Sequence, residues 1–173
     1  MKNLYIFCAF VIIVTSCENT NAPISQEPTL IIENKENVID SISNLIDLWH
    51  LAAANSDFEE YFSLLDSNSI FIGTDESEIW SKNEFMNFSK PYFDKGSAWD
   101  FKAINRNVVL NESNQIAWFD ESLNTWMGNC RGSGVLELTR YGWKIKHYVL
   151  SLAIPNDHMI EISSLIKESK VKE

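Results

Sequence analysis

The chain has 173 residues, with 24 Asp and Glu against 14 Lys and Arg, and so a formal charge of −10 at neutral pH. Such a surface repels phosphates, which disfavours nucleic-acid binding, and no nucleic-acid partner is expected. With 45% hydrophobic residues at this length, a single domain held by its own core is expected.

Met1, Lys2 and Asn3 precede an apolar run over residues 4–14, which leads into Val14-Thr15-Ser16-Cys17. A short basic start, a hydrophobic stretch and small residues before a cleavage point make a secretory signal. The run is about half of the ~20 apolar residues that span a bilayer. Small residues directly before a cysteine resemble the bacterial lipoprotein signal. That resemblance implies cleavage after residue 16, lipid on Cys17, and an exported protein anchored to a membrane of the bacterial cell envelope without crossing it. Residues 17–35, polar and containing Pro23 and Pro28, are read as a flexible tether. The domain follows at 36–168 and a polar tail at 169–173. Cys8 leaves with the signal and Cys17 is blocked by lipid, so Cys130 stands alone and no intrachain disulfide is expected.

In the domain, Val38, Ile39, Ile42, Leu45, Ile46, Trp49, Ala52 and Ala53 recur at helical spacing and predict a first helix over about 36–55. Asn55-Ser56-Asp57 reads as a break and a new N-cap, with Phe58, Tyr61, Phe62 and Leu65 marking a short second helix. Ile70, Phe71 and Ile72 form a strand ending at Gly73. Ser81-Lys82-Asn83-Glu84 has the capping-box spacing that opens a third helix. Its Phe85, Phe88, Tyr92 and Phe93 are read as core. Pro91 is expected to kink it and Gly96 to close it. Strands follow at about 99–110, 115–124, 129–140 and 143–152, with turns at Asn111-Glu112-Ser113-Asn114 and at Tyr141-Gly142. A final short helix is expected after Pro155.

The strand registers select an inner face. A turn at Tyr141-Gly142 pairs Arg140 with Trp143, which sets His147 opposite Leu136 and Lys146 opposite Glu137 as a cross-strand charge pair. A looser turn over 125–128 pairs Asn124 with Asn129, Glu121 with Gly132, and Asp120 with Ser133. One face then carries Ala117, Phe119, Glu121, Gly132, Gly134, Leu136, Leu138, Trp143, Ile145, His147 and Val149. The two glycines are expected to leave space beside Glu121, where a cavity could open. The other face mixes Trp118, Val135, Tyr148 and Leu150 with charges, including an expected Asp120–Arg131 salt bridge, and is suited to burial against a second copy.

The order helix, short helix, strand, capped helix and long antiparallel strands, over about 36–168, resembles the nuclear transport factor 2 and SnoaL-like superfamily. The pieces that carry the likeness are Asn55-Ser56-Asp57, Phe71-Ile72-Gly73-Thr74-Asp75 leading to Trp80, Ala117-Trp118-Phe119-Asp120-Glu121, and Gly142-Trp143-Lys144-Ile145. The resemblance implies an α+β fold in which a curved mixed, mostly antiparallel sheet wraps the N-terminal helices into a cone, the cystatin-like α+β roll, with homodimers through the sheet. It also implies a pocket for a small molecule. The fold hosts isomerases, cyclases, dehydratases and binding modules, so it does not choose among them.

Within that frame Glu121 is the candidate general base and His147 the candidate donor to an enolate. Their rows lie four residues apart, roughly 13 Å, too far for a direct dyad. Trp49, Trp80, Phe119, Gly132 and Gly134 are the expected lining of the pocket. Cys130 has no predicted histidine neighbour and reads as a core thiol. His50, His147 and His158 fall on different elements without metal-ligand spacing, so neither a metal nor a cofactor is expected. The leading expectation is an envelope-anchored domain that binds a small, largely apolar molecule. A carboxylate-dependent isomerase, cyclase or dehydratase and a protein-interaction module are the alternatives.

Overall fold

In the computed structural model, which describes residues 34–96 and 98–170, the chain enters helix α1 (Lys35–Ala54) at Asn34, whose side chain accepts from the Glu36 amide. The expected signal, Cys17 and the tether as far as residue 33 lie outside the described residues. Along α1, Val38, Ile42, Ile46, Trp49 and Ala53 are buried at spacings of four and three, the stripe that one helical face presents. Asp57 caps α2 (Phe58–Ser63) by accepting from the Glu60 amide. Ser56, just before it, turns the chain through a positive φ of 56°.

Strand β1 (Leu65–Ile72) is longer than expected, and a short β2 (Ile79–Ser81) that the sequence reading lacked pairs with it. Ser81 and Glu84 form the full capping box of α3 (Lys82–Asp94). The helix runs through Pro91, and Gly96 follows it at φ 67°. Four long strands complete the sheet: β3 (Lys102–Leu110), β4 (Ile116–Thr125), β5 (Gly128–Thr139) and β6 (Gly142–Leu152). After Pro155 a 3-10 turn leads into α4 (Met159–Lys170), longer than the short helix expected.

The six strands lie in the order β2-β1-β6-β5-β4-β3, an open sheet with β2 and β3 at its edges. All neighbours are antiparallel except β1 and β6. This is the mixed, mostly antiparallel α+β architecture expected from the sequence. The β4–β5 register is also as expected, with Asn124 opposite Asn129, Asp120 opposite Ser133 and Glu121 opposite Gly132.

The β5–β6 register is corrected at two points. The turn is Arg140-Tyr141, with Thr139 opposite Gly142 and Leu138 opposite Trp143. Gly142 takes φ 93°, and the Thr139 hydroxyl closes the turn by donating to the Gly142 carbonyl at 2.8 Å. This shift of two residues leaves Ile145 on the inner face. A bulge then intervenes, because Leu136 faces Ile145 whereas Val135 faces His147. One extra residue reverses the in-and-out alternation of everything beyond it. Beyond the bulge Tyr148 and Leu150 are therefore the buried residues of β6, and His147 and Val149, expected inside, are half-buried on the opposite face.

The inner face meets α1, α2 and α3 through a continuous aromatic core. Trp49 stacks on Tyr61 with centroids 5.0 Å apart and meets Tyr148 edge-on at 4.8 Å. Cys130 is buried and free, as expected. On the outer face Lys146 reaches Glu137 at 3.2 Å, although Lys144 holds the register position opposite it. Asp120 accepts from Asn107 rather than forming the expected bridge to Arg131.

Candidate functional site

Ser43, Asp47 and His50 are spaced by four and three residues, so they share a face of α1 that looks toward β3 and β4. On those strands Arg106 and Glu121 are register partners. Glu121 is 1% exposed and sits where these elements and β6 converge. Its Oε1 is 2.8 Å from His50 Nε2 and 3.3 Å from the Tyr148 hydroxyl. Its Oε2 accepts from Arg106 Nε at 2.9 Å and lies 2.8 Å from the same guanidinium's Nη2. The far side of Arg106 donates from Nη1 to the Ser43 carbonyl at 2.8 Å, and Nη2 lies 2.8 Å from the exposed Asp47 carboxylate.

Burial by itself drives the Glu121 carboxyl toward its neutral form. The hydrogen bond and charge from His50, then those from Arg106, outweigh it and hold the group below the ordinary glutamate range. The Tyr148 phenol is pushed well above its usual value, first by burial and then by the Glu121 charge, so it stays protonated and donates. An ionised carboxylate only accepts, which makes His50 Nε2–H the donor in that contact. With two hydrogen bonds on one oxygen and the guanidinium on the other, Glu121 is an occupied anion. It is poorly suited to taking a proton from a substrate.

The space expected beside Glu121 is filled. A Cβ on Gly132 would collide with the Tyr148 hydroxyl and approach Glu121 Oε1 to 2.7 Å. At Gly134 it would meet the Phe119 ring and the His147 carbonyl, each at 2.6 Å. The two glycines therefore admit Tyr148 and Phe119 to the core. Trp49 and Phe119 are core residues at 1% and 3% exposure. His147 faces away from Glu121. Of the expected lining, Trp80 is the residue that the structure places at a pocket.

That pocket lies at the β1–β2 end of the sheet. Phe71 and Trp80 are register partners, and the capped α3 lays Phe85 against Phe71 with centroids 3.9 Å apart. Phe88 from the next turn stacks on Trp80 at 4.4 Å, and Trp99 and Phe101, from the segment before β3, close the far side. These six rings, with Leu150, surround a cavity of about 110 Å³. Its polar lining is Thr74 and Glu78. The lack of a side chain at Gly73 matters here, because a Cβ there would press into the Glu78 side chain.

The two places are neighbours through one ring, since the His50 imidazole lies 6.4 Å from Phe101. Among the described residues no group of three or more His, Cys, Asp or Glu side chains could hold a metal ion. Sequence reasoning missed His50, Arg106 and Tyr148. His50 was signalled by its spacing of one turn from Ile46. Carrying the register across the turn read at 111–114 sets Arg106 opposite Phe119, on the right face but two residues from its observed partner Glu121. Tyr148 had no such signal, because the bulge is not visible in the hydrophobic pattern.

Residues 42–155 match the family model described as the SnoaL-like domain. No curated protein matches the chain. Among solved structures, it is similar to one from Streptomyces avermitilis named as a dehydratase of the NTF2-like family, at 14% identity and a TM-score of 0.60, covering 69% of this chain and 99% of that one. An NTF2-like protein of unknown function from Pseudomonas putida gives 11% identity and a TM-score of 0.59, over 70% of this chain and 90% of that one. A Parabacteroides distasonis structure carrying the name ketosteroid isomerase gives 19% and 0.56, over 69% and 91%. At these identities the likeness is one of fold.

Proposed function

The chain belongs to the SnoaL-like domain family, and on that premise we propose that its folded part binds a small, largely apolar molecule in the aromatic pocket and works as a binding domain rather than a catalyst. The observation that carries this reading is the pairing of an open aromatic cavity with a buried carboxylate whose oxygens are already engaged. Pockets for drug-sized ligands occupy about 300–1,000 Å³. A cavity of about 110 Å³ selects a much smaller molecule, or one end of a larger one.

A ligand screen by thermal shift and native mass spectrometry on the chain beyond Cys17 tests the reading. A ligand present at 100 times its Kd stabilises the folded state by about 2.7 kcal/mol, enough to raise Tm by several degrees. The gain should vanish in Trp80→Leu and persist in Glu121→Gln. A hit whose stabilisation ignores Trp80 would overturn the pocket assignment.

One observation favours a second reading, an isomerase, cyclase or dehydratase. His50, oriented by Glu121 through Nε2, stands behind the pocket wall at Phe101, so the base would be the imidazole with Glu121 positioning it. Turnover that is lost in His50→Gln while ligand binding is retained would select this reading over the first.

The envelope address is part of the proposal. Lipid on Cys17 would hold the domain on a membrane, and incorporation of a labelled fatty acid that Cys17→Ala abolishes is the expected result. We also propose a homodimer through the outer sheet face, where Trp118, 47% exposed, stands in register between Val109 and Val135. Light scattering should show two copies for the wild-type chain and one for Trp118→Glu.

A further inference from the structure

We propose that the pocket recognises a cation, namely an alkylated ammonium group, held by the ring faces and by the Glu78 carboxylate. The inference rests on the pocket reading above and adds the charge of the ligand. Six aromatic side chains contribute to the lining, and a cation is attracted by a ring whose face it meets within about 6 Å of the centroid. Glu78 is the one charged side chain among the described lining residues, and none of those residues is basic. Glu78 is also held in place. Its carbonyl accepts from the Gly73 amide at 2.8 Å, its amide donates to the Asp75 carbonyl at 3.0 Å, and its Oε2 accepts from the Asp75 amide at 3.2 Å.

This lining discriminates among ligands by charge and by donor count. An anion would meet a carboxylate with no charged donor in the described lining to offset it. A primary ammonium carries three N–H groups that each need an acceptor, and the side chains of the lining offer Glu78, whose Oε2 already accepts from the Asp75 amide, and the Thr74 hydroxyl. A buried N–H left without a partner costs the desolvation of that group. A quaternary or tertiary alkylammonium removes most of that demand while keeping the charge, and its methyl groups pack on the rings. The small cavity suits a group of this size, and the chain's net charge of −10 concentrates cations around it.

Calorimetric titration of the full chain in a nonionic maltoside detergent, at constant ionic strength, provides the test. The probes are tetramethylammonium, choline and 3,3-dimethylbutan-1-ol, the last being a neutral isostere of choline. Choline should bind about tenfold more tightly than the neutral alcohol, a factor between those of an exposed and a desolvated cation–π site. Glu78→Gln should erase most of that preference while leaving affinity for the alcohol unchanged. Trp80→Leu, which keeps the apolar surface and removes a ring, should weaken choline more than the alcohol. Choline and glycerophosphocholine run side by side separate a free cation from a lipid headgroup, according to which binds more tightly. Equal affinity for choline and the alcohol, or a preference that survives Glu78→Gln, would overturn the cation assignment and leave the pocket standing. Binding of none of the probes would overturn the cation assignment, and a full ligand screen without a hit would then overturn the pocket as well.

Discussion

The two polar places in this domain are built on opposite plans. Around Glu121 a carboxylate, a guanidinium, an imidazole and a phenol are packed against one another and sealed from water. Around Glu78 a single carboxylate stands at the rim of an open aromatic cavity. The first place has the residues of a catalyst and its groups consume one another. The second has few polar groups, and the bond from the Asp75 amide to Glu78 Oε2 leaves its carboxylate with capacity to spare. Chemically rich side chains thus identify a site only when their bonding capacity is unspent.

Substitutions at the sealed place should damage stability, and the largest loss is expected for Arg106→Met. Stripping the guanidinium leaves the buried carboxylate with His50 and Tyr148 alone and should cost about 3–5 kcal/mol in urea denaturation. Adding Glu121→Leu to it should recover part of the loss, since the buried charge is gone while the His50 and Tyr148 donors lose their acceptor. If the double variant is no better than the single one, the cluster is not an isolated charge pair.

Glu121→Gln comes next, at about 1.5–3 kcal/mol at neutral pH for lost charged hydrogen bonds. Its pH signature is specific. The native carboxyl is held below its unfolded value of about 4.3, so its contribution is fully present above that value and is lost as pH falls through the native one. Stability of the wild-type chain should therefore fall on acidification more steeply than that of Glu121→Gln. The residual slope belongs to groups such as Asp66, lowered chiefly by the Asn68 amide and also by Lys146. Gly132→Ala should cost about 1–3 kcal/mol by overpacking, and Tyr148→Phe should make the two effects less than additive by clearing the hydroxyl from its way. The smallest effect belongs to the open place. Ser81→Ala removes the cap of the helix that walls the pocket and should cost about 1 kcal/mol, with a measurable drop in ligand affinity.

Much of the scaffold was legible in local chemistry. The capping box at Ser81 and Glu84 sits where its spacing indicated, as does the Asp57 cap. The β4–β5 register followed from a short turn whose length is fixed by its neighbours. The candidate site was less legible for two physical reasons. A bulge at Lys146 adds one residue without changing the composition of β6, so His147 was read as inward where Tyr148 belongs. The pocket depends on β2, a strand of three residues too short to show an alternating pattern, and on bringing Trp99 and Phe101 back to Phe85 from beyond Gly96. Long-range returns of that kind leave no periodic trace in the chain.

The parallel seam between β1 and β6 has a consequence for how the molecule comes into being. Leu65, Ile70, Phe71 and Ile72 find their partners in residues 145–149, so the first strand made is completed by the last. A nascent chain can zip β3, β4 and β5 as successive hairpins. It must still keep Phe71 and its neighbours unpaired along that flank until β6 arrives, and closing so distant a contact is slow. Until β6 pairs, the sheet exists as two halves, and β6 is the piece that joins them.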